Sequence, residues 1–375
     1  MQTVSAIPVN SGVVESAAGV QREFFIGPKR IYPNVYLAPM SGVTDICFRQ
    51  LVSRLARGRT GLLVSEFVSV EGLTRDNPKS MKQMAFAEEE RPFSVQIFGG
   101  EPGRMGWGAK IVEETGADFV EINCGCPAPK VVGKGGGSGL LKDLPNLAAI
   151  VRSVKAAVSI PVTVKVRIGW SDELITLFET QKIIEGEGAS AMVIHGRTRA
   201  QGYKGLANWD LIGEAKARAT IPVVGNGDVL RVEHVVDRLK KYGVDGVAVG
   251  RGAMHNPWIF AQIADVYEGK EPSQPTREDY LQLFEEYHHL LRGEMDIELR
   301  ALGKLKQMAA RAMKGLPSSG LARLSLLRSQ SVSEFFDHLR AYFEQIPSME
   351  RDMEMLEDLN GKEDTEVVFG NAYKN

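Results

Sequence analysis

Eight short runs of β-branched and apolar residues divide most of this chain, and this repetition constrains its fold more than any single motif does. The runs recur at intervals of roughly 25 to 45 residues, which leaves room for one helix between consecutive strands. The intervening segments carry apolar residues at three-and-four spacing, and several end in glycine, as helices commonly do before a new strand (Gly116, Gly188, Gly243). The runs begin at Val35, Gly61, Phe93, Asp118, Pro161, Ala191, Pro222 and Gly246.

Eight consecutive strand–helix units predict an α/β protein with a (β/α)8 TIM barrel over residues 31–270. A doubly wound sheet is the alternative for alternating strands and helices. That fold favours a Gly-x-Gly-x-x-Gly motif after the first strand, and no such motif follows the run at Val35. The barrel is therefore the prediction.

The chain outside the predicted barrel has a different sequence pattern. Residues 271–347 contain long helical patterns without strand runs, which predicts a small C-terminal helical domain. Its last helix is expected to begin after Ser331, because Glu334 stands three residues later and completes a capping pattern. Residues 1–30 are expected to form a flexible N-terminal extension, and the acidic residues 348–375 are expected to form a disordered tail.

Composition excludes several classes of protein. The formal net charge is −2, so no global basic field indicates a nucleic-acid partner. No apolar run approaches the ~20 residues of a bilayer-spanning helix, and the N-terminus lacks the pattern of a secretory signal. The sequence predicts a cytoplasmic protein without a membrane partner, and it indicates no obligate protein partner.

The chain has three cysteines, Cys47, Cys124 and Cys126. In a cytoplasmic setting they are not a disulfide framework. The Cys124-x-Cys126 pair has no second pair nearby, whereas a structural zinc site uses four ligands, so no metal is expected. The "GKGGGSG" that follows is not a Walker loop, because no Gly-Lys-Ser/Thr ends it. We interpret it as a flexible lid.

Polar and special residues gather where the predicted strands end. In a barrel these ends converge on one face, where the active sites of this fold lie. On the fifth strand, Thr163, Lys165 and Arg167 share one face, and charge pointing into a barrel is costly without a partner, so it indicates function. The strand-end residues are Pro39, Met40, Glu66, Gln96, Asn123, Lys165, Arg167, His195, Asn226, Asp228, Gly250 and Arg251.

Glycine-rich loops follow the seventh and eighth predicted strands. In TIM barrels these two loops commonly bind phosphate, although such glycines can also form simple tight turns. A phosphate there fits a flavin mononucleotide (FMN) across the barrel mouth. Gln96 would face the pyrimidine edge of the flavin and Lys165 would face N1 and O2, while Asn226 and Asp228 would hold the ribityl or phosphate end.

Cys126 lies just past the fourth predicted strand, at the barrel mouth. A lone cysteine is most often a packing residue, and Cys124 is interpreted in this way. A cysteine that acts as a general acid needs a retained proton, and nothing near Cys126 in sequence forces a thiolate. Its place over the predicted flavin makes Cys126 the candidate acid.

Seven motifs, in order, resemble those of the tRNA-dihydrouridine synthases, in particular the bacterial B-type branch. The resemblance extends from Leu37 to Ile346. It implies an FMN-containing barrel that reduces specific uridines of tRNA to 5,6-dihydrouridine, with NADPH as the reductant. The motifs are "LAPMSGVTD", "VQIFGG", "INCGCPAPKV", "VTVKVRIGW", "VIHGRTRAQGYKG", "VVGNGDV" and "VAVGRGAMHNPWIF".

The resemblance also implies roles for individual residues. Cys126 would give a proton to C5 of the uracil while a hydride passes from FMN N5 to C6. Many relatives have alanine where this chain has Gly139. The positions that match uracil contacts are Asn123, Lys165, Arg167 and His195. Those that match flavin contacts are Pro39, Met40, Gln96, Lys165, His195, Asn226, Asp228, Gly250 and Arg251.

A local basic surface is predicted on the helical domain. No Asp or Glu stands between Arg300 and Arg328. Such runs are usually solvated helix faces, but next to a mouth that receives a flipped-out uridine this one is expected to contact tRNA phosphates. Its cations are Arg300, Lys304, Lys306, Arg311, Lys314, Arg323 and Arg328.

Three other interpretations stay open at the level of sequence. An FMN barrel could act on a small molecule of the dihydropyrimidine type, which would leave the basic helices without a role. A non-catalytic RNA-binding protein could use a barrel that has lost its activity, but the intact Cys126, Lys165 and His195 argue against this. The same chemistry could also act on ribosomal RNA.

Overall fold

A computed structural model describes residues 12–295 and 297–360. Eight parallel strands pair in sequence order, and the last pairs with the first, which closes a barrel. Each predicted run supplies one strand, so the (β/α)8 prediction is confirmed. The strands are β1 Val35–Leu37, β2 Leu62–Val64, β3 Phe93–Phe98, β4 Phe119–Cys124, β5 Val162–Arg167, β6 Ala191–His195, β7 Val223–Asn226 and β8 Gly246–Val249.

Helices follow every barrel strand. Gly243 ends one of them at φ 64°, and its N–H bonds to Leu239 O, the left-handed cap that glycine adopts without steric cost. Among the described residues, no helix combines the length and apolar character that crossing a bilayer requires. Up to residue 267 the helices are α1 Gly12–Ser16, α2 Ile46–Leu55, α3 Val70–Leu73, α4 Pro78–Gln83, α5 Pro102–Glu114, α6 Pro129–Val132, α7 Leu144–Ala157, α8 Leu177–Gly186, α9 Trp209–Arg218, α10 Val232–Tyr242, α11 Arg251–His255 and α12 Ile259–Tyr267.

Side chains on each strand alternate between the barrel interior and the surrounding helices. On β5, Val162, Val164 and Val166 belong to the large core between strands and helices. The lower interior of the barrel, meaning the part away from the carboxyl ends of the strands, is filled by a separate apolar cluster that includes Tyr36 and Phe119. The inward side chains become polar toward the carboxyl ends of the strands, and this change of polarity places the candidate site.

The N-terminal segment closes the lower end of the barrel. Strands Phe24–Ile26 and Lys29–Ile31 form an antiparallel hairpin. Phe24, Ile26 and Ile31 are buried in the inner cluster, where they cover the end of the barrel interior. The expectation of a flexible extension is therefore wrong for residues 12–30, and residues 1–11 lie outside the described residues.

The C-terminal region is helical, as predicted. Ser331 caps the helix Val332–Gln345 by accepting a hydrogen bond from Glu334 N–H at 3.1 Å. The expectation of a disordered tail is wrong for residues 348–360, because the Arg351 side chain donates to His255 O and Leu356 is buried; residues 361–375 lie outside the described residues. The helices are α13 Arg277–Glu294, α14 Glu298–Ala312, α15 Ser319–Arg328, α16 Val332–Gln345 and α17 Met353–Asn360.

Polar contacts join this helical region to the first loop at the barrel mouth. Lys304 on α14 forms an ion pair with Asp45 at 2.6 Å and donates to Gly42 O at 2.7 Å. Near this joint, α13 packs against α2. The loop after β1 also carries Met40, so the helical region lies beside the face where the strand ends converge.

Candidate active site at the barrel mouth

A cleft opens at the carboxyl ends of the strands, with about 810 Å³ of empty space. This space includes the part of the cleft that is open to solvent. Glu66, also at a strand end, instead bonds to the N–H of Gly42. The predicted residues that come together as cleft lining are Pro39, Met40, Gln96, Asn123, Cys126, Lys165, Arg167, His195, Asn226, Asp228, Gly250 and Arg251.

A chain of amide hydrogen bonds holds the loop that carries Cys126. Asn123 Nδ2 donates to Gln96 Oε1 at 2.7 Å. Asn123 Oδ1 accepts from the backbone N–H groups of Gly125 at 3.0 Å and Cys126 at 2.9 Å. On the other side, Gln96 Nε2 donates to Glu121 Oε1 at 2.7 Å. Both amide side chains are buried, so these bonds take the place of the hydrogen bonds that water makes to the unfolded chain.

Cys126 keeps its proton at neutral pH. The residue is 7% exposed, and burial raises the pKa of its thiol to about 11, although Arg167 and Lys165 act to lower it. Its carbonyl oxygen accepts from Ser138 N–H at 3.0 Å and from Ser138 Oγ at 2.9 Å. A held, protonated thiol suits a general acid, whereas a nucleophile needs the thiolate.

The glycine segment after Cys126 is packed closely against its neighbours. Gly137 has φ +55°, and a Cβ there would lie 2.8 Å from Cys126 O. A Cβ on Gly100 would lie 2.4 Å from Lys134 O. Close backbone approach accounts for Gly137 and Gly100, whereas Gly133 and Gly135 are exposed. The flexible lid that the sequence indicated stays a prediction.

Lys165 and His195 give the cleft its charge pattern. Lys165 Nζ donates to Asn226 Oδ1 at 3.1 Å. Burial lowers the pKa of Lys165 to about 8, while Glu121 acts to raise it. Burial, together with the neighbouring Arg167 and Lys165, holds the pKa of His195 well below its usual range. The cleft therefore combines an ammonium group with a neutral imidazole at pH 7.

Buried arginines hold the loop after β6 beside the cleft. Arg167 donates to the carbonyl oxygens of Thr198 and Gly202, each at 2.9 Å. The guanidinium carbons of Arg167 and Arg251 lie 5.6 and 4.7 Å from the centre of the Tyr203 ring. These cation–π contacts keep the Tyr203 ring at the cleft wall.

Asp228 lines the cleft, but its carboxylate binds protein groups. Oδ1 accepts from Arg197 at 2.6 Å and lies 3.4 Å from Arg251 Nη2. Oδ2 accepts from Ala207 N–H at 2.7 Å. Arg197 is fully buried, so this ion pair fixes the loop after β6. A contact between Asp228 and a flavin stays a prediction.

The basic residues predicted to contact RNA lie away from the cleft and do not share one environment. Arg300 is exposed and Lys306 is half-buried, whereas the carbonyl oxygen of Arg311 lies 3.2 Å from Nδ1 of the buried His255. Only 20% of the Lys304 side chain is exposed, and its ammonium group is paired with Asp45. The RNA contact predicted for Lys304 is therefore corrected: this lysine joins the helical region to the barrel.

Sequence reasoning missed three residues that shape the site: Glu121, Arg197 and Tyr203. Glu121 stands two residues before Asn123 on the same strand face. The alternation of side chains along a strand, which identified Lys165 as a candidate, could therefore have identified Glu121 as well. Arg197 and Tyr203 lie beyond the end of β6, in a loop where no periodic pattern applies.

One family model and several curated proteins match most of this chain. The family model described as dihydrouridine synthase (Dus) matches residues 36–364. A probable tRNA-dihydrouridine synthase of Rickettsia conorii is 40% identical over 268 residues, which cover 71% of this chain and 80% of that protein. Probable tRNA-dihydrouridine synthase 1 of Synechocystis is 37% identical over 320 residues, covering 84% and 87%. tRNA-dihydrouridine synthase B of Pseudomonas syringae is 42% identical over 238 residues, covering 64% and 70%.

Solved structures resemble the chain at low sequence identity. A 2-naphthoyl-CoA reductase in complex with 2-naphthoyl-CoA has a TM-score of 0.51 at 13% identity, covering 68% of this chain and 53% of that one. The old yellow enzyme of Trypanosoma cruzi has a TM-score of 0.50 at 12% identity, covering 70% and 95%. At such identities the likeness supports the fold alone.

Proposed function

The chain belongs to the dihydrouridine synthase family, and on this premise we propose that it reduces uridines of tRNA to 5,6-dihydrouridine in the cytoplasm, with FMN as cofactor and NADPH as reductant. Reduction of the C5–C6 bond of uracil adds one hydride and one proton. The observation that carries the proposal is Cys126, a protonated thiol in the same cleft as Lys165 and His195.

The polar lining of the cleft and the space at the end of β8 support FMN as the cofactor. Gly250 leaves open space at the end of β8, since even a Cβ there would touch only Ala38 and Met40, at 3.8 Å. Bound FMN would supply the hydride that C6 of the uracil receives. We assign Gly250 and Arg251 to the phosphate, Asn226 and Asp228 to the ribityl end, Gln96 and Lys165 to the flavin ring, and Pro39, Met40 and His195 to its surroundings.

Asn123, Lys165, Arg167 and His195 are proposed to hold the uracil. Negative charge develops on the uracil ring as C6 accepts the hydride, and the cations Lys165 and Arg167 stabilise that charge in a site with little water. Cys126 then donates its S–H proton to C5. The resulting thiolate is stabilised by the same two cations, both of which lower its pKa, until solvent returns a proton.

The tRNA is proposed to bind across the rim of the mouth and the adjacent helices. At the rim, the Trp170 ring contacts two cations, with Lys142 Nζ and Arg199 Cζ each 4.6 Å from its centre. Arg300 and Lys306 add positive charge on α14. Such cations contact phosphates without reading sequence, while the target uridine leaves its stack to enter the cleft.

Substitution of Cys126 tests the proposal, with Cys124 as the matched control. Cys126→Ala should retain the flavin absorbance of the purified protein but lower the rate of dihydrouridine formation about 10²–10⁴-fold, the usual contribution of a general acid. Cys124 is fully buried on the opposite strand face, so Cys124→Ala should keep the wild-type rate. Wild-type turnover by Cys126→Ala would refute the assignment.

The substrate is tested by mapping dihydrouridine in total cellular RNA with and without this gene. Loss of the modification from specific tRNA positions is expected. Loss from ribosomal RNA alone, or no loss together with turnover of a free pyrimidine, would contradict tRNA as the substrate.

A further inference from the structure

Glu121 is a buried carboxylate one layer below the cleft. The residue is 1% exposed and does not line the cleft itself. Its Oε1 accepts from Gln96 Nε2 at 2.7 Å, and its Oε2 lies 3.4 Å from Thr163 Oγ1. A carboxylate is costly to bury without a partner, and among the described residues no cationic side chain lies within ion-pair distance of this one. Its contacts lead instead to the groups that would perform the reaction.

The carboxylate sets the direction of the amide chain above it. Above its pKa of about 7 the carboxylate is ionised and only accepts hydrogen bonds, so Gln96 then turns its NH₂ group toward Glu121 and its oxygen toward Asn123. Asn123 must then present its own NH₂ to Gln96 and its oxygen to the backbone N–H of Cys126. A flipped amide at either position would place two donors or two acceptors face to face.

Glu121 also supplies negative charge close to Lys165. The two residues lie on the neighbouring strands β4 and β5, where Glu121 pairs with Thr163 and Asn123 with Lys165 in register. The titratable or charged groups facing Lys165 are Glu121 and Cys126 from β4 and its loop, Arg167 on β5 itself, and His195 from β6. Those that interact electrostatically with Glu121 are Lys165, Tyr36 and, from the other face of β4, Cys124.

We propose that Glu121 is a positioning residue for uridine reduction. It fixes the orientation of the two hydrogen-bonded amide side chains of Gln96 and Asn123 (the amide relay) that hold the backbone of Cys126, and it keeps Lys165 protonated. The inference rests on the proposed function for its catalytic consequence, although the relay itself can be tested without turnover. Burial raises the pKa of Glu121 to about 7, with Lys165, Gln96 and Thr163 acting in the opposite direction.

The charge of Glu121 acts to raise the pKa of Lys165. Its pKa is lowered to about 8 by burial, and Glu121 counters that lowering. A required ammonium group is lost as the pH rises through this pKa. Without the Glu121 charge the pKa of Lys165 falls further, so the alkaline limb of the pH–rate profile must move to lower pH.

Two substitutions in the FMN-loaded enzyme separate the effect of the Glu121 charge on Lys165 from the effect of its hydrogen bond to Gln96. Glu121→Gln keeps an acceptor for Gln96 but removes the charge, so the alkaline limb of kcat should shift down by about one pH unit or more, the scale of a nearby opposite charge. Glu121→Ala removes the acceptor, so alkylation of the Cys126 thiol by iodoacetamide, located by peptide mass spectrometry, should accelerate about tenfold, the equivalent of one net hydrogen bond.

Glu90→Gln is the matched control, because Glu90 is an equally buried carboxylate that pairs with Arg49 and does not line the cleft. It should leave both the pH profile and the labelling of Cys126 at wild-type values. An unchanged profile in Glu121→Gln, or unchanged labelling in Glu121→Ala, overturns the inference even if Cys126→Ala is inactive. If Glu121→Ala does not fold, the Glu121→Gln profile alone decides. A protein that makes no dihydrouridine defeats the proposed function, and the labelling experiment still tests the relay.

Discussion

Gly137 offers the sharpest test of how the packing around Cys126 supports chemistry. Its φ of +55° is a conformation that side chains rarely adopt, and a Cβ would lie 2.7 Å from Val131 Cγ1 and 2.8 Å from Cys126 O. Alanine in such a conformation costs about 1 kcal/mol, and overpacking adds roughly 1–3 kcal/mol. Part of that cost can be relieved only by displacing the backbone of Cys126.

The expected result of Gly137→Ala is therefore a loss of rate together with a loss of stability. A misplacement of about 1 Å at a reacting group costs on the order of 10²-fold, so dihydrouridine formation under single-turnover conditions should fall by about that factor. Thermal unfolding should reflect a loss of no more than ~4 kcal/mol.

Gly139→Ala is the control from the same segment. A Cβ at Gly139 would come no closer than 3.4 Å to Val132 O, and its φ is not in the left-handed region. It should therefore retain wild-type activity. Equal activity of Gly137→Ala and Gly139→Ala would show that the Cys126 loop does not depend on this close approach.

Two further predictions concern the helical region. Lys304→Met removes the ion pair with Asp45 and the hydrogen bond to Gly42 O, both largely shielded from water. It should lower the free energy of unfolding by about 1.5–3 kcal/mol. An unchanged thermal midpoint would contradict the role of Lys304 in joining the helical region to the barrel. The double variant Arg300→Gln, Lys306→Gln should unfold like the wild type but reduce the slope of log K for tRNA against log salt by about 2, one for each phosphate contact removed. A slope equal to that of the wild type would place the RNA elsewhere.

The sequence by itself determined the barrel and most of the candidate site. Eight runs of the right period, glycine stops such as Gly243, and the serine cap at Ser331 are local features, because they depend on residues a few positions apart. Strand parity alone also places Thr163, Lys165 and Arg167 on one face of the strand. Since the ends of barrel strands must converge, residues distant in sequence could be assigned to one cleft without coordinates.

Only the tertiary structure decided which partner each polar side chain contacts. The ionic partner of Lys304 is Asp45, which is distant in sequence, and no helical pattern distinguishes that lysine from its neighbour Lys306. Phe24 and Leu356 are buried by parts of the fold distant in the chain, so weak local patterning around them indicated disorder wrongly. Glu121 acquires its importance only because its carboxylate meets Gln96 on the neighbouring strand. Local periodicity directs a side chain inward or outward, but the free energy of a buried charge depends on the partner that the whole fold brings to it.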